Sequence, residues 1–303
     1  MAKKSAAAMW FEYALLRVIC GIVNAVPYAL ACLLARGASW FMFSVLRVNR
    51  RRTLERIRGV FPDRSEREAV RIARGSLDNL FMTAVEMARS ARLDKRWIER
   101  HVVDAEVYAE RLRKLLDEGR GVVIMVPHSG NWYMAAWAMA SCGVPLFAIA
   151  ARQRNPLVYA WMQRQYGSRL EVLERGSAGV MRDILARLRK GKGFAILPDL
   201  RVPSPDTPVP FLNGTANVSH GAAMFAVSAC CPIVVAIMRR ERGRHVFDHL
   251  ATLRPDPAAS DRREEARRLT REAMTLLDGA IQKTPEHWYW FNKRWILQPP
   301  RGR

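Results

Sequence analysis

Residues 122–133 read VVIMVPHSGNWY, and this stretch decides the fold. An aliphatic run ends at Pro127-His128. Ser129-Gly130-Asn131 has turn chemistry, and a helix-like run opens at Trp132. The predicted local structure is a buried strand that delivers a histidine to the N-terminus of a helix.

Downstream, the same alternation repeats. Strands are predicted over 121–126, 144–151, 170–173, 193–197 and 232–238, with helices over 131–141, 155–166, 178–189 and 219–230. This pattern predicts an α/β fold, a mainly parallel sheet flanked by helices. In such sheets working side chains gather at the carboxyl ends of the strands. His128 ends one predicted strand and Asp199 ends another, while Arg152 and Arg154 follow the strand at 144–151. Upstream, 64–87 reads as one or two amphipathic helices, 97–107 as a connecting segment and 108–118 as a helix. Towards the C-terminus, 203–208 reads as a polar, proline-rich flap or surface turn. Arg239, Arg240, Arg242 and Arg244 read as a basic turn, and 261–281 as a long helix with arginines on its outer side.

The chain has 303 residues, half of them hydrophobic, enough for a sizeable core. Its formal net charge of +21 points to an anionic partner or surface. No zinc-ligand spacing, long basic tail or RNA-binding aromatic signature accompanies that charge, so a membrane is expected and nucleic acid is not. The five cysteines are odd in number and lie mostly in apolar runs, as in a reducing compartment. Lys3-Lys4 precedes a long apolar stretch interrupted by Gly21, Asn24 and Pro27. A hairpin of two short helices, lying on or dipping into a membrane, is expected there rather than one clean span. Arg47, Arg50, Arg51, Arg52, Arg56 and Arg58 follow, a cluster suited to an anionic cytoplasmic leaflet.

A neutral histidine can take the proton of a hydroxyl as its oxygen attacks a carbonyl. The resulting oxyanion needs donors, and the backbone N–H groups of 129–131 and the two arginines are candidates. There is no G-x-S-x-G elbow, H-E-x-x-H motif or phosphate-binding loop, so no serine nucleophile, metal or nucleotide hydrolysis is indicated. Direct acyl transfer from a thioester to a hydroxyl fits. Each residue also has a plainer reading: a structural histidine, solvated arginines, and an aspartate capping a Pro-Asp turn.

At this point the chain resembles the bacterial lipid A biosynthesis acyltransferases and their relatives, the phosphatidylinositol mannoside acyltransferases. The matching pieces, in the family's order, are Pro127-His128-Ser129-Gly130-Asn131-Trp132, RQRNPL at 152–157, Leu197-Pro198-Asp199, Val209-Pro210-Phe211 and TPEHWYW at 284–290, followed by Lys293-Arg294-Trp295. The resemblance implies a glycerolphosphate-acyltransferase-like domain over 59–303 behind a membrane-associating segment over 1–58. It implies an enzyme on the cytoplasmic face of the bacterial inner membrane. The donor would be an acyl carrier protein or coenzyme A thioester, with no cofactor besides, and the acceptor a glycolipid hydroxyl. His128 matches the catalytic base, and Asn131, Arg152, Arg154 and Phe211 fall among candidate substrate-binding positions. The family motif continues with an acid at the position of Tyr133. Three readings stay open: Asp199 supplies the carboxylate, catalysis is slower, or the chain binds lipid without catalysis. The acceptor could also be another membrane lipid, such as a lysophospholipid, an ornithine-type lipid or a polyene.

Overall fold

Pro27 decides how the chain begins. It stands between α1 (Ala6–Ala25) and α2 (Tyr28–Ser44), where its missing N–H and fixed φ suit a helix start. The computed structural model describes residues 5–166, 170–202 and 206–297. Two helices joined at Pro27 are present as expected, but they pack on other elements rather than along each other: α1 on the helices Pro156–Tyr166 and Glu66–Ala88, α2 on the latter. One face of α2 is sealed: Ala31, Ala35 and Phe43 are buried, and Ser39 Oγ donates to Asp78 at 2.5 Å. By contrast, α1 leaves Trp10 and Phe11 60% and 69% exposed, and Leu33 of α2 is 65% exposed. At 20 residues α1 is long and apolar enough to cross a membrane. Its rise of about 30 Å matches a hydrocarbon core.

The chain continues through α3 (Arg50–Val60), α4 (Glu66–Ala88), α5 (Lys95–His101), β1 (Val102–Val103) and α6 (Ala105–Leu116). The expected boundary at residue 58 falls inside α3, whose Leu54, Ile57 and Val60 belong to the main core. Two arginines of the expected basic cluster are also engaged within the fold. Arg56 donates to the carbonyls of Trp290 and Asn292 at 2.9 and 2.8 Å, and Arg58 pairs with Glu66. The span 64–87 is a single helix, α4, started by a capping box between Ser65 and Glu68. The span read as a connecting segment holds α5, the edge strand β1 and the start of α6.

The alternating region gives β2 (Val122–Met125), α7 (Trp132–Ser141), β3 (Leu146–Ala150), α8 (Pro156–Tyr166), β4 (Glu171–Glu174), α9 (Val180–Arg189) and β5 (Gly193–Ile196). Then come β6 (Thr207–Phe211), β7 (Gly214–Val218), α10 (Gly221–Ala229), β8 (Ile233–Glu241), β9 (Arg244–Leu253) and α11 (Arg262–Lys283). The main sheet has seven strands in the order β1-β9-β8-β2-β5-β3-β4. All neighbours are parallel except β8 and β9. The predicted basic turn is the tip of this β8–β9 hairpin, with Arg242 and Gly243 at positive φ. A separate antiparallel hairpin, β6–β7, was not expected, because Pro208 and Pro210 argue against strand. Both prolines point outward while Thr207, Val209 and Phe211 are buried. Part of the expected 203–208 loop lies outside the described residues.

Alternation along β2 splits the core. Val123 and Met125 face α3, α4 and α9–α11, while Val122, Ile124 and Val126 face α5–α7. Three buried or half-buried histidines give this fold a pH signature. Burial lowers the pKa of His245, of His249 (with Arg111) and of His287. An unfolded chain therefore takes up protons first as pH falls below about 6.5, so acid favours unfolding. Each tenfold difference in proton affinity is worth about 1.4 kcal/mol. The urea midpoint in detergent should fall steadily between pH 7 and pH 5. A flat profile would contradict the neutral, buried state of these rings.

Candidate active site

Strand register brings the two key side chains together. In the parallel pair β2–β5, Val122 lies beside Gly193 and Met125 beside Ile196. His128 and Asp199 each lie three residues past Met125 and Ile196, so they leave the same sheet edge at the same level. Asp199 Oδ1 lies 2.7 Å from His128 Nδ1, and Oδ2 accepts the His128 backbone N–H at 2.7 Å. Trp288 Nε1–H donates to the same Oδ2 at 2.7 Å. The carboxylate is fully buried. Burial alone would raise its pKa, but the His128 charge, the bonds from His128 and the Trp288 bond outweigh that and hold it below the usual range. An ionised carboxylate only accepts, so Nδ1 carries the proton and Nε2 is the basic nitrogen.

The turn after His128 is clamped from behind. Gly130 has φ +54°, and a Cβ there would lie 2.5 Å from the Met238 carbonyl oxygen. Only glycine fits without displacing β8. Gly130 N–H donates to the His287 carbonyl at 2.9 Å, and Tyr289 N–H donates to the His128 carbonyl at 2.9 Å. The segment 287–289 thus clasps the corner from outside. Ser129 N–H is bonded to the Pro127 carbonyl at 2.7 Å. The N–H groups of Ser129 and Gly130 are therefore spent within the fold, contrary to the expectation that they face an oxyanion.

Asn131 also departs from expectation. It is fully buried, and its Oδ1 caps α7 by accepting from Met134 N–H at 2.9 Å. Its Nδ2 donates to Glu86 Oε2 at 2.5 Å. With both ends of the amide used, Asn131 sets the corner and does not meet a substrate. Phe211 likewise is 1% exposed and packs edge-on against Trp288 at 6.4 Å, so it backs the tryptophan that holds Asp199. Arg152 and Arg154 are exposed beyond β3. Arg152 lies 3.8 Å from Glu174 and its guanidinium 5.8 Å from the Tyr159 ring centroid. Neither arginine lines the cavity described below.

Sequence reading missed the scaffold in α4. Ser76, Asn79, Thr83 and Glu86 recur at helical spacing and all are buried. Ser76 Oγ donates to the Trp288 carbonyl at 2.5 Å, Asn79 Nδ2 to the Glu286 carbonyl at 3.1 Å, and Thr83 Oγ1 to the Gly130 carbonyl at 3.2 Å. Glu86 accepts from Tyr28, Asn131 and both terminal nitrogens of Arg240, with His245 Nε2 at 3.1 Å. Burial alone would raise its pKa, but His245 and Arg240 hold it well below the usual carboxylate range. Arg240 therefore leaves the solvated turn expected of it and becomes a buried counter-charge. A polar stripe among the apolar positions Leu77, Leu80, Phe81 and Val85 was the available signal.

His128, Trp132 and Tyr133 line one cavity of ≈ 870 Å³ whose walls come from the sheet and from α6, α7, α8 and α10. This lies within the ~300–1,000 Å³ typical of ligand pockets. Its walls are mainly apolar, and small residues create the space: Ala148, Ala195 and Ala236 on the strands, Ala135 and Ala136 on α7. Tyr133, at the motif's acid position, presents its ring 5.6 Å from Trp132 and 6.3 Å from Trp137. Among the described residues, no group of three or more His, Cys, Asp or Glu side chains is arranged to hold a metal ion.

A sequence model of the family described as bacterial lipid A biosynthesis acyltransferase matches residues 2–296. The chain belongs to this family. Among curated relatives it is similar to lipid A biosynthesis acyltransferase 2 of Shigella flexneri, 28% identical over 63% of this chain and 59% of that protein. It is also similar to the phosphatidylinositol mannoside acyltransferase of Mycolicibacterium smegmatis, 23% identical over 62% of this chain and 60% of the relative. The lipid A biosynthesis myristoyltransferase of Escherichia coli K12 is 30% identical over 50% of this chain and 46% of its own. These matches span about half to three fifths of the relatives' length. Membership of the family agrees with the resemblance carried by the motifs around His128.

Proposed function

We propose that this chain transfers a fatty acyl group from a thioester donor to a hydroxyl of a lipid A-type glycolipid, with His128 as general base. The observation that carries the reading is the His128–Asp199 pair opening into an apolar cavity sized for a ligand. The acceptor O–H gives its proton to His128 Nε2 as its oxygen attacks the thioester carbonyl. The tetrahedral intermediate then collapses, the C–S bond breaks, and the departing sulfur takes the proton back. The imidazolium formed in between is stabilised by Asp199. The N-terminus of α7, carrying about half a positive charge, starts at the cavity wall and favours the developing oxyanion. With Asp199 on Nδ1, no acid is required at Tyr133, and this ranks catalysis above a purely lipid-binding role.

The donor in this reading is acyl carrier protein or coenzyme A thioester, with no further cofactor. The site belongs on the cytoplasmic face of the bacterial inner membrane, with exposed α1 in the lipid and the basic surface against anionic headgroups. Lipid extracts of cells with and without the gene, compared by mass spectrometry, test the reading. One lipid should lose a single acyl chain when the gene is absent. An unchanged lipidome, together with no transfer by purified protein from either thioester, would overturn it.

The cavity adds a second expectation. Ala136→Phe fills space behind Tyr133, and each methylene kept out of the cavity forfeits about 0.8 kcal/mol, or about fourfold in affinity. Competition between long and short acyl donors should shift towards the shorter by about tenfold or more. An unaltered preference would place the acyl chain elsewhere.

A further inference from the structure

Besides Arg111 and Lys114 of α6, three arginines from other segments stand at the cavity. Arg175 follows β4, Arg201 follows β5, and Arg294 lies in the segment after the 287–289 clasp; all three line the cavity that holds His128. Arg201 N–H donates to the Arg294 carbonyl at 3.2 Å, so those two backbones lie side by side. Desolvation and then the like charge of Arg294 both push the Arg175 pKa down. Some exposed arginines of this chain find carboxylates, such as Arg58 with Glu66, Arg254 with Glu118, and Arg268 with Glu265 and Glu272. Among the described residues, no carboxylate pairs with Arg175, Arg201 or Arg294. Like charges gathered around one cavity make its mouth attractive to an anion.

We propose that Arg175, Arg201 and Arg294 form a binding site for a phosphate ester at the mouth of the acyl cavity. The inference rests on the acyl-transfer reading of the same cavity and names a second chemical group that its substrates must carry. Guanidinium groups suit phosphate because their planar N–H forks match its oxygens. Position supports the assignment. Arg201 is two residues past Asp199, so its Cα lies within about 7 Å of that of Asp199. A phosphate held there is anchored close to the reacting atoms while the apolar chain enters the cavity. Two substrates can bring such a group: a phosphopantetheine-borne thioester donor, or a phosphorylated glycolipid acceptor.

The test is calorimetric binding to full-length protein in detergent with two matched pairs of probes. The donor pair is lauroyl-coenzyme A and phosphate-free lauroyl-pantetheine. The acceptor pair is an acylated glucosamine disaccharide with and without its phosphates. Wild type should prefer the phosphate-bearing member of at least one pair by about tenfold or more, as charge-assisted hydrogen bonds require. The R175Q/R201Q/R294Q variant should lose that preference and keep its affinity for the phosphate-free member. A control variant, R189Q/R262Q/R263Q, removes three exposed charges elsewhere and should keep the preference. The pair that shows the preference identifies the source. No preference in either pair for wild type, no detectable binding included, overturns the proposal, as does equal loss in the control. Failure of the acyl-transfer reading looks different: the preference persists while wild type transfers no acyl group.

Discussion

Replacing His128 by alanine is expected to lower the acyl-transfer rate by about 10²- to 10⁴-fold, the usual contribution of a positioned general base. Asp199→Asn should cost a loss in the same range for a different reason. The amide would present N–H where Nδ1–H now donates, favouring the tautomer whose Nε2 carries the proton and cannot accept one. Trp288 and the His128 backbone N–H anchor the carboxylate on its other oxygen, so the variant side chain stays near its place. Tyr133→Phe separates the two candidate partners. It keeps the ring against Trp132 and Trp137 and should change the rate by less than the Asp199 variant. Initial rates for the four proteins at matched concentration decide it. A Tyr133→Phe loss as large as that of Asp199→Asn would move the catalytic role to the tyrosine.

The largest effect on stability is expected at Glu86. Removing one member of a buried ion pair leaves its partner uncompensated and costs about 3–5 kcal/mol. Glu86→Ala strands Arg240, which is almost fully buried, and also frees Tyr28, His245 and Asn131. Denaturant unfolding should show this loss, while Glu68→Ala, at the exposed capping box of the same helix, should cost clearly less. Equal costs at the two positions would mean that Glu86 does not bear the corner. Because Asn131 caps α7 next to His128, Glu86→Ala should also lower the transfer rate of the protein that remains folded.

Much of this was legible in the sequence where one residue's chemistry and the local period coincide. The aliphatic run ending in Pro127-His128 fixed both the central strand and the site, and the parallel register carried Asp199 to the same level. Periodicity could not place the two-residue strand β1, since it joins the sheet through β9, distant in sequence. Pro208 and Pro210 hid β6 because they sit on its outward face. Asn131 and Phe211 were misread because a motif position does not say which way a side chain points. The α4 stripe was overlooked because Ser, Asn, Thr and Glu on a helix resemble an ordinary solvated face. Only tertiary contact with 286–288, with the corner at 130–131 and with Tyr28, Arg240 and His245 gives them partners. Arg175, Arg201 and Arg294 come from three separate segments, and no spacing rule links them.

The clasp formed by 287–289 has a consequence for biosynthesis. Trp288 reaches back 89 residues to Asp199, and Ser76 holds Trp288 across 212. Translation runs from the N-terminus, so the two apolar helices, the central strand and His128 all leave the ribosome before the clasp. The segment that bonds Asp199 through Trp288 and the His128 carbonyl through Tyr289 N–H is thus the last part of the corner to be made.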